Sequence, residues 1–177
     1  NPVTGAGSAL SEPALDYVAV KVPSWPFDSF PQADSSLGPR MKATGEVLSI
    51  ASTFAQGLVK ACRSLERGRM IPDKRMRPWT THKLWEQVMA PTHLRLEAIT
   101  ELLRRSSATV DEIAARTHIR RYFIEQLNEI QIAEKYLEED GAVRENIVSG
   151  RMHGFAVSRI AESAGITLDE TLKILEE

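Results

Sequence analysis

Four histidines, one cysteine and a run of carboxylates are the side chains of this sequence best suited to chemistry. The histidines, His82, His93, His118 and His153, fall on different predicted elements, whereas a metal centre needs several ligands brought together. A nucleophilic thiol needs a neighbouring base. Cys62 has only Arg63 beside it and lies on the apolar stripe of a predicted helix, which reads as a small buried hydrophobe. Glu125, Glu129, Glu134, Glu138 and Glu139 have the spacing of a solvated helical face rather than of an acid-base pair. Gly5-Ala6-Gly7 is neither preceded by a strand nor followed by Lys and Ser or Thr, so it lacks the context of a phosphate cradle. No catalytic, cofactor-binding or metal-ligating set emerges, and the expectation is a chain without catalysis of its own.

Two stretches have the rhythm of a helix-turn-helix: Thr109 to Arg121, and Val157 to Thr167. In such a motif Arg120 and Arg121 would open the recognition helix and meet phosphates or guanine edges. That helix continues into Glu125 and Glu129, and the second copy into Asp169 and Glu170, which would face a polyanion. Lys plus Arg at 22 against Asp plus Glu at 24 leaves a net charge of -2, so no global field draws the chain to nucleic acid or to an anionic membrane. A DNA-binding helix-turn-helix regulator is therefore the second reading; short helix, turn and helix is also how small bundles are built.

The elements that position these residues divide near Gly45. A length of 177 with 42% hydrophobic residues is about one domain, long enough to bury roughly 70% of the surface of the unfolded chain. One cysteine excludes an internal disulfide and suits a reducing compartment, the cytoplasm by default. The first residues lack a basic and apolar leader, no apolar run reaches the length of a membrane helix, and a start at Asn1 points to a segment of a longer polypeptide. Before Gly45, Tyr17 to Val22 is rich in β-branched residues and predicts one extended strand without an equally good partner; Glu46 to Ile50 is a poorer candidate. Prolines among Trp25, Phe27 and Phe30 forbid helix there. After it, Thr53 caps a helix through Phe54, Leu58, Cys62 and Leu65 that closes at Gly68, and a solvated connector runs from Arg69 to Pro78. Thr81 caps a helix bearing Leu84 and Val88, and Leu94 to Leu103 form the next. A capping box opens at Thr109, a long helix carries Tyr122 to Tyr136, and three short helices follow, the last from a second box at Thr167 to Glu170. The fold class is mainly α: an orthogonal helical array preceded by an irregular N-terminal segment containing one extended strand.

Three blocks in order carry a family resemblance. Glu12 to Pro23, with Asp16-Tyr17, resembles the strand that ends an ATP-grasp domain in the large subunit of carbamoyl-phosphate synthetase. Met41-Lys42-Ala43-Thr44-Gly45-Glu46-Val47 is similar to that family's Met-Lys-Ser-x-Gly-Glu-Val signature, and Leu58 to Glu66 to the helix after it. Farther on, Pro91-Thr92, Arg95-Leu96, Thr109 to Ile113, Phe123-Ile124 and Gly154-Phe155 are similar to landmarks of the family's helical oligomerisation domain. The chain departs from the pattern at Ala51-Ser52, where the family has Gly-Arg, at Arg120-Arg121-Tyr122-Phe123, where it has Asp-x-Trp-Phe, and at Val157, in place of an acidic cap.

The resemblance implies that residues 1–45 are the tail of the preceding ATP-grasp domain and residues 46–177 a non-catalytic oligomerisation domain. It implies a parent ligase that makes carbamoyl phosphate from bicarbonate, ATP with Mg or Mn, and ammonia released from glutamine by a small partner subunit. ATP and metal contacts would lie in the flanking ATP-grasp domains, with no cofactor here. A spacer between two such halves must offer apolar faces to both and to another copy in a homo-oligomer. The expected protein-contact residues are Tyr17, Val20, Trp25, Phe27, Phe30, Trp79 and Trp85, with the lone strand from Tyr17 to Val22 free to pair with a second chain.

Overall fold

The computed structural model describes residues 2–8, 10, 15–65 and 71–176. The strand from Tyr17 onward is not alone: β1 (Val18–Ser24) pairs antiparallel with β2 (Gly45–Ala51), Val20 facing Ser49 and Val22 facing Val47. The orphan-strand expectation is thus corrected, and the weaker candidate at Glu46 to Ile50 is the partner. Its pattern hid it. In β2 the small residues Ser49 and Ala51 point inward while Leu48 and Ile50 point out, the reverse of the usual apolar-in alternation.

The inward face carries Val20 and Val22 and lies under α1 (Phe54–Ser64). The two layers meet at Gly57, where an added Cβ would stand 2.7 Å from Val20 Cγ2 and 3.5 Å from Ser49 Oγ. Ser49 Oγ donates to the Gly57 carbonyl, so the polar residue in the sheet's buried face is satisfied by the helix it supports.

Threonine hydroxyls start four of the helices. Thr53 accepts from Gln56 N in α1, and Thr80, one residue before the expected Thr81, accepts from Lys83 N in α2 (Thr81–Met89). Thr109 accepts from Glu112 N in α4 (Val110–Thr117), but the Glu112 side chain pairs with Arg116 instead of closing the box. At α8 (Leu168–Glu176) the box closes both ways, Thr167 N to Glu170 Oε2 at 2.9 Å and Glu170 N to Thr167 Oγ1 at 3.2 Å. Between these lie α3 (Arg95–Arg104), α5 (Arg121–Asp140), α6 (Arg144–Met152) and α7 (Val157–Ala164). Helix α1 ends at Leu65; the expected cap at Gly68 lies outside the described residues.

Residues 71–76 are not a solvated connector. Ile71, Asp73 and Met76 are buried, and a single 3-10 turn, Lys74–Met76, is capped by Asp73, whose carboxylate also takes the Arg75 guanidinium at 2.7 Å. The apolar residues Ile71 and Met76, sparse among basic neighbours, are drawn into the same core as the helices. That core is centred on α5, which packs on α1, α3, α4, α6 and α7 through Ile124, Leu127, Ile130, Ala133 and Leu137. Each fully buried Leu or Ile there contributes about 1.5–3 kcal/mol. Val20 and Val22 belong to this core too, so the sheet and the helices share one interior.

Replacing Gly57 with alanine forces Val20 or α1 to move, and a loss of about 1–3 kcal/mol is expected in urea unfolding. Gly45→Ala is the control, its added Cβ meeting only Ser24 Cβ at 3.8 Å, and should change stability by less than about 0.5 kcal/mol.

Candidate interaction surfaces

The histidines and the cysteine are scattered. His82 is exposed beside Glu86, His118 closes α4 in a left-handed turn, the His153 Nδ1 sits 2.8 Å from the Ser149 carbonyl, and His93 lies against the Phe27 ring at 4.8 Å. Cys62 is buried in α1. Among the described residues no three of His, Cys, Asp or Glu stand together as metal ligands, and no helix is long and apolar enough to cross a membrane.

The carboxylates of α5 are not one solvated face. Glu134 is 3% exposed and accepts from Arg159 Nη2 at 2.7 Å, and the same nitrogen donates to the Pro72 carbonyl at 2.6 Å. One guanidinium therefore ties α7 to α5 and to the buried connector. Burial pushes the Glu134 carboxyl above its usual range, and the charge and hydrogen bond of Arg159 offset that only in part. A second buried carboxylate behaves oppositely. Burial alone would raise Glu101, but hydrogen bonds from Arg104 and Arg105 outweigh it and hold the carboxyl below its usual range. Arg105 also donates to the carbonyls of Trp79 and Arg77, at 2.7 and 2.6 Å, and so clamps the segment before α2. The Glu101 pairs sit at i,i+3 and i,i+4 and are legible in sequence; the Glu134–Arg159 pair spans 25 residues and is not.

Of the seven expected contact residues, five reach the surface. Tyr17 and Phe30 are exposed, the latter 63%. Trp25, stacked at 5.9 Å on Phe27, is half-buried, as are Trp79 and Trp85. The tryptophans carry cations on their faces: the Lys83 ammonium lies 3.8 Å above Trp79 and the Arg116 guanidinium 3.7 Å above Trp85. Val20 and Phe27 are corrected: both are buried, their side chains already spent on this chain's own interior. With β2 occupying one edge of β1, the premise of a wholly unpaired strand also goes.

Other apolar surface went unremarked in the sequence. Leu48 and Ile50 stand on the uncovered face of the sheet, 64% and 55% exposed. Phe54, Tyr122 and Phe123 form an aromatic cluster where α1 meets α5, with centroids 5.0 Å apart for Phe54 and Phe123 and 5.3 Å for Tyr122 and Phe123. Ile132 and Tyr136 are exposed farther along α5. Of the two arginines expected to open a recognition helix, Arg121 is held by Asp111 and by Glu125, while Arg120 is exposed at the start of α5.

Residues 46–177, which take in β2 after its first residue and the eight α-helices of the described residues, match the family described as carbamoyl-phosphate synthetase large chain, oligomerisation domain. The chain belongs to this family. It is 40% identical over 167 residues to the carbamoyl phosphate synthase large chain of Caldanaerobacter subterraneus subsp. tengcongensis, covering 94% of this chain and 16% of that one. The large chain of Clostridium perfringens is 36% identical over 98% of this chain and 17% of its own length, and that of Methanothrix thermoacetophila 38% over 96% and 16%. The oligomerisation domain and its N-terminal strand thus span about a sixth of the length of these relatives.

Within this domain the buried pair gives a measurable pH signature. Arg159→Met leaves Glu134 buried and unpaired, and a loss of about 3–5 kcal/mol is expected near neutral pH. A carboxyl raised by folding costs stability as pH climbs from its unfolded to its folded pKa. The deficit should therefore shrink when thermal unfolding is repeated at pH values acidic enough to protonate Glu134 in both states.

Proposed function

We propose that this chain is the non-catalytic oligomerisation and spacer segment of a glutamine-dependent carbamoyl-phosphate synthetase large subunit in the cytoplasm. The match of residues 46–177 to the oligomerisation domain carries the reading. In this reading residues 1–45 are the tail of the preceding ATP-grasp domain. The parent makes carbamoyl phosphate from bicarbonate, ATP and ammonia supplied by a small glutaminase subunit, with ATP and Mg or Mn held outside this segment.

The half-covered sheet supports it. A two-stranded ribbon is at best marginally stable by itself, and β1–β2 has α1 on one face, while on the other Leu48 and Ile50 are largely exposed among the described residues. Exposed side chains of that size on a regular sheet face suit a further layer supplied by flanking polypeptide. Tyr17, Trp25 and Phe30 lie at the same end of the sequence, and with Trp79 and Trp85 they are the proposed contacts to the flanking ATP-grasp domains and to other copies. The Lys83 and Arg116 groups over the tryptophans would swing aside or become part of the contact.

The purified chain, given bicarbonate, MgATP and ammonia, is expected to form no carbamoyl phosphate, while its mass by light scattering rises from monomer to dimer or larger across a concentration series. Product formation by the chain alone would overturn the non-catalytic reading, and a strict monomer at every concentration would reduce the segment to a spacer.

A further inference from the structure

We propose that the groove where the last turns of α1 and α6 meet is a binding site for a phosphate dianion, a site separate from the apolar contacts of the oligomerisation reading. The groove has a volume of about 390 Å³ and is lined by Lys60 and Arg63 of α1, Arg151 of α6, and Gly154 just beyond it.

Three cations meet here, and among the described residues no carboxylate joins them. From Val47 to Leu65 and from Asn146 to Ala161 there is neither Asp nor Glu, in a chain whose acids outnumber its bases by 24 to 22. Elsewhere basic side chains find acids, as Arg77 finds Glu138, Arg104 finds Glu101 and Arg159 finds Glu134. Gly154 brings the two acid-free runs together. Its φ is +89°, and an added Cβ would stand 2.9 Å from the Gln56 carbonyl oxygen, so backbone meets backbone and the cations of both helices are held at one place.

Neutral carbonyls aim two of these cations without neutralising them. Lys60 Nζ donates to the Ile50 carbonyl at 2.7 Å, and Arg63 Nη1 to the Gly154 carbonyl at 3.3 Å. Each bond uses one donor of a group that has several, and leaves the rest to a ligand. Arg63 and Arg151 stand in the last turns of their helices. A helix C-terminus carries about half a negative charge, so the two ends together offset about one of the three positive charges and leave about two. A phosphate group carries about −1.5 to −2 near neutral pH, with acceptor oxygens for donors arriving from different sides. A carboxylate, with one charge and two oxygens, would leave half of that excess uncovered.

The test is isothermal titration calorimetry of the full 177-residue chain with inorganic phosphate and with glycerol 3-phosphate in low-salt buffer, with circular dichroism melts to establish that each variant is folded. Saturable binding that weakens as sodium chloride is added is expected. Arg151→Gln and Lys60→Gln should each weaken it about tenfold, the loss of one charge-assisted contact. Arg151 is exposed, so its replacement leaves the interior as it is. Arg120→Gln, which removes an exposed arginine that does not line the groove, should keep the affinity within about twofold of the original, since charges farther apart than a Debye length are screened. Glycerol 3-phosphate that binds at least as tightly as inorganic phosphate assigns the site to a phosphorylated small molecule; weaker binding of the ester assigns it to the free ion. No saturable binding of either, a folded Arg151→Gln variant that binds as the original does, or an Arg120→Gln variant weakened as much as Arg151→Gln would overturn the site.

Discussion

A single buried ridge on α5, Ile124, Leu127, Ile130, Ala133 and Leu137, is the surface against which α1, α3, α4, α6 and α7 find their places. A helix in water gains little from its own hydrogen bonds, and its stability comes from the apolar face that it can bury. Here one 20-residue helix offers that face to partners from both halves of the chain, from α1 to α7. The ends of the array then depend on it indirectly. Helix α8 is held through α6 and α7, and the sheet through α1, which meets β1–β2 at the Gly57 contact.

Charge determines how these helices are oriented once burial has gathered them. Arg159 reaches from α7 to Glu134 on α5 and to the Pro72 carbonyl, while Arg105 reaches from the end of α3 to Glu101 and to the carbonyls of Arg77 and Trp79. Each guanidinium joins a carboxylate to backbone of the same irregular segment, 71–80, which has few apolar residues of its own to hold it. The two carboxylates differ in cost. Glu101 has two arginines and is held in its charged form; Glu134, with one at hydrogen-bond distance, is pushed toward its neutral form by burial. An ion pair of the latter kind contributes less to stability than to fixing which helix face meets which.

The elements that were legible in the sequence were those whose start or stripe is local. Thr53, Thr109 and Thr167 marked helix starts because a hydroxyl followed by orphan amides acts within four residues, and the period of Ile124, Leu127, Ile130 and Leu137 marked α5. What escaped was non-local. The pairing of β1 with β2 joins segments about 30 residues apart, and the inversion of β2, small residues in and Leu48 and Ile50 out, follows from the closeness of α1 and not from β2 itself. Glu134 looked solvated because its spacing matches Glu138; only the arrival of Arg159 from α7 distinguishes them. For the same reason two of the seven expected contact residues were interior: Val20 lies under α1 and Phe27 against His93.

Four helices, α3, α5, α6 and α7, begin at Leu94, Arg120, Val143 and Ala156 without a side-chain cap. An absent cap costs about 1 kcal/mol, and two of these starts are places where the chain departs from the family pattern, Arg120 for an acidic residue and Val157 for an acidic cap. A helix tolerates that loss only if its packing supplies more than the cap would. All four contact α5 or are α5, and each buries large apolar residues against it or its neighbours: Ile99 and Leu102, Ile147, Ile160, and the α5 ridge itself. Of the capped helices, α2, α4 and α8 bury little, Leu84 and Val88, Ile113 alone, and Thr171 alone, whereas α1 is capped by Thr53 and also buries Leu58, Val59 and Cys62. Among the described residues, then, a cap accompanies both thin and deep burial, but every helix without one is α5 or packs on it. Arg120 and Val157 stand at the starts of two such helices, α5 and α7, where contact with the α5 ridge carries a start that has no side-chain cap.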